Sequence, residues 1–516
     1  MLQNSLQYEY QLIVKKNKTV MDMVSGIQAF GSYVIDAESQ VRRTTSFTLY
    51  LDDRFANTGI ERKINSWIGY DFELQINVYS IRLDDYINYK CGTYTITSAN
   101  TTYNATENSL TLNLSDWYAK LNGERNGQMT GISTIEIPMK DENGNPVTIQ
   151  QASIGVIKQA GFTDYIVDDI GEFYGMPQYN PDYEAYRQTN PKWNHLPYTL
   201  EFSGGCYVSE ILEKLKLYPN TQIYFDIYNN LCFDMIPSCN NDPIALDNDF
   251  LQKILLAEGT ESVSYDISGI KNVTEVYGKD YDVERFCESS TTSGNIYKLT
   301  LDLYTSYANG QIISFVPTSN SVSNMQFQIN GLATLPLYHE FKNEYVDVNE
   351  LESGVRYCIQ IGYTDRYVAY FLGQYQPHGM CVLTNSASDP TYTAQYFATK
   401  YNCNIKNVSL REESENPFAV QRIGEVFETK QGDEFDAIMS DSVALANAIY
   451  YNQKASTVQD VVTITTKMIP WLDVHQKVTY KKQQDTETHQ YIIKNITHNL
   501  EDCTSSITLY RFYPLY

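Results

Sequence analysis

The stretch from Val461 to Tyr516 constrains this chain more than any other. It opens with VVTITTKM (461–468), a β-branched run that breaks at Pro470, a residue with no N–H to give to a central ladder. Val474 to Lys482 forms a second run and Gln483 to His489 a polar turn. QYIIKNITHNL (490–500) and SSITLYRFYPLY (505–516) supply two more runs. Short β-branched and aromatic runs with polar turns between them predict a compact set of strands. The last run reaches Tyr516, which predicts a C-terminus tied into a sheet.

The other end of the chain reads the same way. Gln7–Val14, Thr44–Leu51, Tyr70–Val78, Tyr94–Ser98 and Ser109–Leu114 are strand-like, with polar turns between them. Beyond residue 125 the character changes. Ile149–Ala160 predicts a short helix, and Val208, Ile211, Leu212 and Leu215 share one face of a second, Val208–Leu217, which Tyr218-Pro219 stops. The proline- and tyrosine-rich stretch 174–197 has no period and predicts a long loop. Asn229-Asn230 predicts a tight hairpin turn between Gln222–Tyr228 and Leu231–Ile236. Residues 294–376 read as an inserted β module, and Asp441–Ala455 as a helix that feeds the terminal strands. The expected fold class is mainly β with some helix (α+β), divided as 1–125, 126–293, 294–376, 377–460 and 461–516.

Composition narrows the partners. The net charge is 38 − 62 = −24, which argues against a protein that grips nucleic acid. The 44 tyrosines suit sheet surfaces and interfaces, where a ring packs while its hydroxyl stays wet. The nine cysteines are odd in number, scattered and without a CxxC, so neither a disulfide framework nor a zinc site is expected, and a reducing compartment is favoured at folding. The N-terminus lacks an apolar core of signal-peptide length, and no window approaches a membrane span.

Catalytic patterns are not met. There is no GxxxxGK[ST] and no GxGxxG after a strand. His339-Glu340 lacks the second histidine of a zinc-protease helix. His475, His489 and His498 lie on different terminal strands and turns and read as satisfied surface residues. The pairs Asp52-Asp53, Asp84-Asp85 and Asp168-Asp169 would point to opposite faces of a strand. Asp141-Glu142-Asn143-Gly144-Asn145 lacks the ligand alternation of an EF-hand and reads as a turn. Cys206, between Gly204-Gly205 and a helix, could have a lowered pKa, but no histidine partner is identifiable. No catalytic residue, cofactor or metal ligand is expected.

The order of several short segments carries a resemblance. At the C-terminal end these are Ile469-Pro470-Trp471-Leu472-Asp473-Val474, Tyr491-Ile492-Ile493-Lys494, Ile496-Thr497-His498 and Thr508 through Pro514. At the N-terminal end they are Ile81 through Tyr86, Cys91-Gly92-Thr93-Tyr94-Thr95-Ile96, Tyr103 through Thr106, and Thr111-Leu112-Asn113-Leu114-Ser115-Asp116. Between them come Ile223-Tyr224-Phe225-Asp226, Asp242-Pro243-Ile244, Tyr265-Asp266-Ile267-Ser268 and Val276-Tyr277-Gly278-Lys279. This order resembles the phage tail hub (baseplate hub, or tail-tip base) family. The segment 315–341 with Tyr367 through Leu372 resembles small β modules of phage fibres and baseplates.

The resemblance implies two tube-like β-barrels, at the N- and C-terminal ends of the chain, and a homotrimer that adapts a six-fold tail tube to a three-fold tip. It implies a virion protein folded in the host cytoplasm. Its partners would be the tail tube or distal tail protein, a tip spike or fibre and the tape-measure protein, with genome DNA passing through unbound. Acidic residues facing such a channel would repel the DNA phosphates. Hub relatives often carry a hydrolase after the hub fold, whereas this chain is expected to end with the hub. The alternatives are a receptor- or glycan-binding tail protein and a tail-associated cell-wall hydrolase.

Overall fold

A computed structural model describes residues 7–24, 27–50, 67, 69–103, 108–129, 134–168, 196, 199–216, 221–236, 242–256, 261–266, 268–277, 285–287, 290–339, 344–364, 366–374, 378–383, 405–408, 420–432, 435, 447–448, 451–452, 455 and 459–511. Almost all of the proline- and tyrosine-rich stretch 174–197, most of the expected helix 441–455 and the last residues 512–516 lie outside these.

The N-terminal strands are β1 (Tyr8–Lys16), β2 (Thr19–Met23), β3 (Ile27–Asp36), β4 (Arg43–Tyr50), β5 (Asp71–Ser80), β6 (Asp85–Tyr103) and β7 (Asn108–Asp116). The C-terminal strands are Gln459–Lys467, Lys477–Tyr480, His489–Asn499 and Thr504–Arg511. All belong to one 12-stranded sheet, which Ser262–Asp266 completes by pairing with Gln459–Lys467. The seam between the two ends of the chain is antiparallel, with Asn495 opposite Asp36 and Asn499 opposite Ser32. Where two terminal barrels were expected, the described residues form a single curled sheet shared by both ends.

The curl brings the first strand over the last turns. The Tyr8 hydroxyl donates to the Met468 carbonyl at 2.8 Å, the Tyr10 hydroxyl lies 3.2 Å from Cys503 Sγ, and the Tyr89 and Trp471 rings are 5.4 Å apart. One core fills the interior, with Leu12, Phe72, Tyr94 and Leu112 from one end and Val462, Tyr480, Ile493 and Leu509 from the other. Each such side chain contributes about 1.5–3 kcal/mol on burial.

The strand at the seam, β3, escapes the sequence pattern because Gly31 interrupts it. Glycine suits that position, since a Cβ there would stand 2.2 Å from Ser46 Oγ, displacing that hydroxyl, and 3.1 Å from the Ser46 carbonyl oxygen on β4. The pairing of β3 with β4 shifts register between Phe30 and Tyr33, the irregularity within which Gly31 falls.

The middle of the chain builds a second core. Helix α1 (Ile149–Gln159) starts at a capping box in which Thr148 and Gln151 satisfy each other's backbone N–H. Helix α2 (Val208–Leu215) buries Val208, Ile211, Leu212 and Leu215, the face expected from their spacing. Both lie by a three-stranded sheet of Thr221–Phe225, Leu231–Met235 and Tyr165–Val167. The turn after Phe225 is longer than the two-residue turn expected. Phe225 pairs with Leu231, and Asp226 accepts the backbone N–H groups of Tyr228 and Asn230. Asn229 takes the left-handed conformation at φ 73°.

The third core gathers Tyr297, Phe315, Phe327, Leu337, Ile359 and Phe371 within an eight-stranded sheet. This module sits inside a hairpin, because strands Val273–Tyr277 and His378–Leu383 pair antiparallel with Tyr277 opposite His378. Residues directly opposite in such a ladder are about 4.5–5.5 Å apart at Cα. A short turn can therefore replace everything between them. Replacing 278–377 by Asn-Gly is expected to leave soluble protein whose thermal midpoint lies within a few degrees of the parent. Excising only 294–376 would strand Arg285–Cys287, which pairs with Ile312–Phe315, and is expected to lower the midpoint further. Equal midpoints for the two deletions would refute this. Among the described residues no helix is long and apolar enough to cross a membrane.

Candidate functional site

Two adjacent arginines make a polar joint in the interior. Arg42 and Arg43 stand at the start of β4, and both are buried. Adjacent strand residues face opposite ways, so the pair can hold two neighbours at once. Arg42 reaches the α+β unit, donating from Nη2 to Gln222 Oε1 at 2.7 Å and lying 3.9 Å over the Tyr224 ring. Arg43 donates from Nη1 to the Phe225 carbonyl at 2.8 Å and from Nη2 to Asp473 Oδ2 at 2.6 Å.

Asp116 closes the joint from the end of β7. Its Oδ2 accepts the Arg43 backbone N–H at 2.8 Å, and its Oδ1 accepts that of Tyr118 at 3.0 Å, capping the short 3-10 turn Trp117–Lys120. Both ends of the curled sheet and the α+β unit thus meet within the reach of one side chain. Trp117, Phe162 and Phe225 pack beside it, with ring centroids 5.6–6.3 Å apart.

The charges reflect this burial. Burial opposes the Arg43 charge, but Asp473, Tyr33, Tyr94 and Asp116 around it raise its pKa overall. Burial and the neighbouring Arg43 lower that of Arg42. Burial pushes the Asp116 carboxyl up to about 6, against the pull of its two N–H donors. His475 is buried nearby, and burial with the positive charges of Arg42 and Lys494 pushes it down to about 3. Such a joint sets geometry, and among the described residues it holds no nucleophile beside a base.

Sequence singled out Asp116, Phe225 and Asp473 as members of separate segments, and the structure brings all three to Arg43. The arginine pair itself was missed, since Val41-Arg42-Arg43-Thr44 looks like any charged surface turn. The available signal was a pair of arginines at the head of a β-branched strand.

A second polar knot fastens the outer strand. Lys482 Nζ lies 2.8 Å from Asp460 Oδ2 and 3.3 Å from the Tyr265 hydroxyl, and the Tyr480 hydroxyl donates to Glu261 at 2.7 Å.

The cysteine, histidine and aspartate positions with chemical potential fall elsewhere. Cys206 is buried, and burial with the nearby Glu210 raises its pKa, the opposite of thiolate activation. The Asp141 carboxylate is taken up by its own turn, accepting N–H groups from Asn143 and Asn145. His475 and His498 are core residues, a correction to their reading as surface histidines. His498 lies within the sheet, stacked on Tyr33 at 5.3 Å, and His475 is buried in the turn before Lys477–Tyr480. His489 lies 3.1 Å from Arg511 through Nδ1. Of the aspartate pairs, Asp52-Asp53 and Asp169 lie outside the described residues. Asp84 sits in a turn at φ 53° and accepts the Tyr79 hydroxyl. A cleft of about 840 Å³ opens by α2, lined by Gln40, Tyr207, Glu210, Glu213, Lys214 and Phe435 among others.

The family described as Domain of unknown function (DUF5048) matches residues 415–516. No curated protein matches the chain. The chain is similar to the solved tail protein from Neisseria meningitidis MC58, with TM-score 0.44 and 8% identity over 97% of this chain and 96% of that one. It is similar to the 43 kDa tail protein of prophage MuSo2 from Shewanella oneidensis, with TM-score 0.42 and 9% identity over 98% of each chain. It is also similar to the prophage tail protein gp18 from Listeria monocytogenes EGD-e, with TM-score 0.33 and 8% identity over 97% of this chain and 94% of that one.

Proposed function

We propose that this chain is a structural subunit of a phage tail, a baseplate hub that works by shape and not by catalysis. The observation that carries the reading is the seam between β3 and His489–Asn499, which makes one curled sheet from the two ends of the chain. A wall subunit needs that construction. Its two strand groups stand side by side, each able to face one neighbour of a tube, and the Arg42–Arg43 joint fixes their angle to the α+β unit.

In this reading three copies present six strand groups to a six-fold tube and a three-fold surface to the tip. The trimer encloses part of the DNA exit channel, and its acidic residues keep the duplex from adhering, since like charges repel. The partners are the tail tube or distal tail protein, a spike or fibre, and the tape-measure protein, in the tail of a virion assembled in the host cytoplasm. Closed cyclic symmetry is the usual outcome for such self-association. The test is the subunit count of this chain in an intact tail, imaged with the subunit localised. Three copies in one ring at the tube end are expected, and a two- or six-fold ring would overturn the reading.

One observation favours receptor binding as a second role. The module exposes Tyr363 and Tyr367, whose rings meet at 4.9 Å, with Tyr307 at 5.9 Å from Tyr367. Loss of host-cell binding by purified protein lacking the module would support it.

A further inference from the structure

The module carries a group of side chains that neither the joint nor the hub reading uses. His339 ends the strand Leu335–His339, and the chain returns beside it, with the His339 N–H on the Glu344 carbonyl at 2.9 Å and the Val346 N–H on the Leu337 carbonyl at 3.2 Å. The next turn runs from Asp347 to Glu350. Asn349 adopts φ 61° there, turning the backbone so that Glu350 is buried, with its side chain 5% exposed. His339 Nε2 then stands 3.4 Å from Glu350 Oε2. One potential ligand atom from each of His339, Asp347 and Glu350 lies within 4.8 Å of the others.

The loop that holds them is braced from two sides. Ser321 Oγ donates to the Asp347 carbonyl at 2.7 Å, and the Asn349 N–H donates to the Ser321 carbonyl at 2.8 Å. Lys140, from the α+β unit, donates to the Asn349 carbonyl at 3.2 Å. Within this frame Glu350 Oε2 accepts the Asp347 backbone N–H at 2.7 Å, which fixes the carboxylate in place. A buried carboxylate gains from any cation placed against it.

We propose that His339, Asp347 and Glu350 bind one divalent first-row transition cation of the zinc class. Ligand atoms about 2.0–2.2 Å from a tetrahedral zinc are themselves roughly 3.3–3.6 Å apart. The His339–Glu350 separation already matches that edge. Asp347 is exposed, so a change of rotamer brings its carboxylate to the third position and leaves the fourth to water. One imidazole with two carboxylates suits zinc or manganese better than calcium, which takes six to eight oxygens. The exposed side at Asp347 is the entry path. The ion would tie the strand Leu335–His339 to the turn that touches Lys140, stiffening the module where it meets the α+β unit.

The test uses the full-length protein, freed of metal by a chelator and titrated with zinc chloride. Bound zinc is counted by elemental analysis, and cobalt serves as the visible-spectrum probe of the same site. One zinc per chain is expected, with a rise in thermal midpoint. His339→Ala and the exposed-site variant Asp347→Asn should each weaken binding by roughly tenfold or more and remove the cobalt spectrum. Asp347→Asn keeps the buried Glu350 in place, so it tests the site even if other variants fold poorly. Absence of stoichiometric zinc in the parent would overturn the proposal. So would undiminished binding in both variants, or calcium bound as tightly as zinc.

Discussion

Replacing Arg43 by methionine should lower the free energy of unfolding by about 3 kcal/mol. Methionine keeps the unbranched aliphatic stem of the side chain and removes the guanidinium with its charge. The change strips the Phe225 carbonyl of its donor in the interior, and an unpaired buried group of this kind costs about 1–3 kcal/mol. The charge-assisted bond to Asp473 is lost as well, but that carboxylate is 41% exposed and water takes over much of its solvation. Asp473→Asn should therefore cost clearly less than Arg43→Met. Arg42→Met should also cost less, because Tyr224 can pack on the methionine. Urea unfolding followed by circular dichroism ranks the three. If Arg43→Met unfolds at the parent's midpoint, the joint does not hold the units together.

Acid should expose a second weakness, at His498. Its ring is fully buried and lies against Tyr33, with centroids 5.3 Å apart and Nδ1 2.7 Å from Ser505 Oγ. Nε2 has no hydrogen-bond partner among the described residues, so a proton added there finds no acceptor among them. Burial accordingly pushes the pKa down to about 4. The unfolded chain has its ordinary value near ~6.5. As pH falls below that value the unfolded state takes up a proton that the fold refuses. Stability drops by about 1.4 kcal/mol per pH unit until the folded pKa is reached, a loss of roughly 3 kcal/mol in all.

His475, down to about 3, acts in the same direction. Asp116 and Asp234, pushed up to about 6 by burial, act in the opposite one, because the fold holds their protons where the unfolded chain releases them. The parent's own pH curve therefore mixes both signs. The difference between parent and His498→Gln isolates the histidine. That difference should be constant above pH 6.5 and should shift in favour of the variant as pH falls towards 4. Parallel curves over that range would show that His498 titrates alike in both states.

The elements that local pattern determines were legible in the sequence. Strand-like runs between polar turns marked β5, β7 and Gln459–Lys467, and the 3.6-residue spacing of Val208, Ile211, Leu212 and Leu215 marked α2. These signals are local because a side chain's face follows from its own backbone period. The signal fails where the chain serves a neighbour. Gly31 looks like a strand breaker until β4 is placed against it. Asn229-Asn230 looks like a two-residue turn until Phe225 pairs with Leu231 and leaves a longer loop.

What only the tertiary structure decided is which distant segments share a surface. Nothing local tells His489–Asn499 that its edge belongs to β3 and not to a barrel of its own, since any strand offers the same backbone donors and acceptors. The same holds for charge. Arg42 and Arg43 carry no mark of burial, because the groups that make burial tolerable, Gln222, Phe225 and Asp473, lie 180, 182 and 430 residues away. A buried cation is stable only with its partners assembled around it, so that site came into being with the fold.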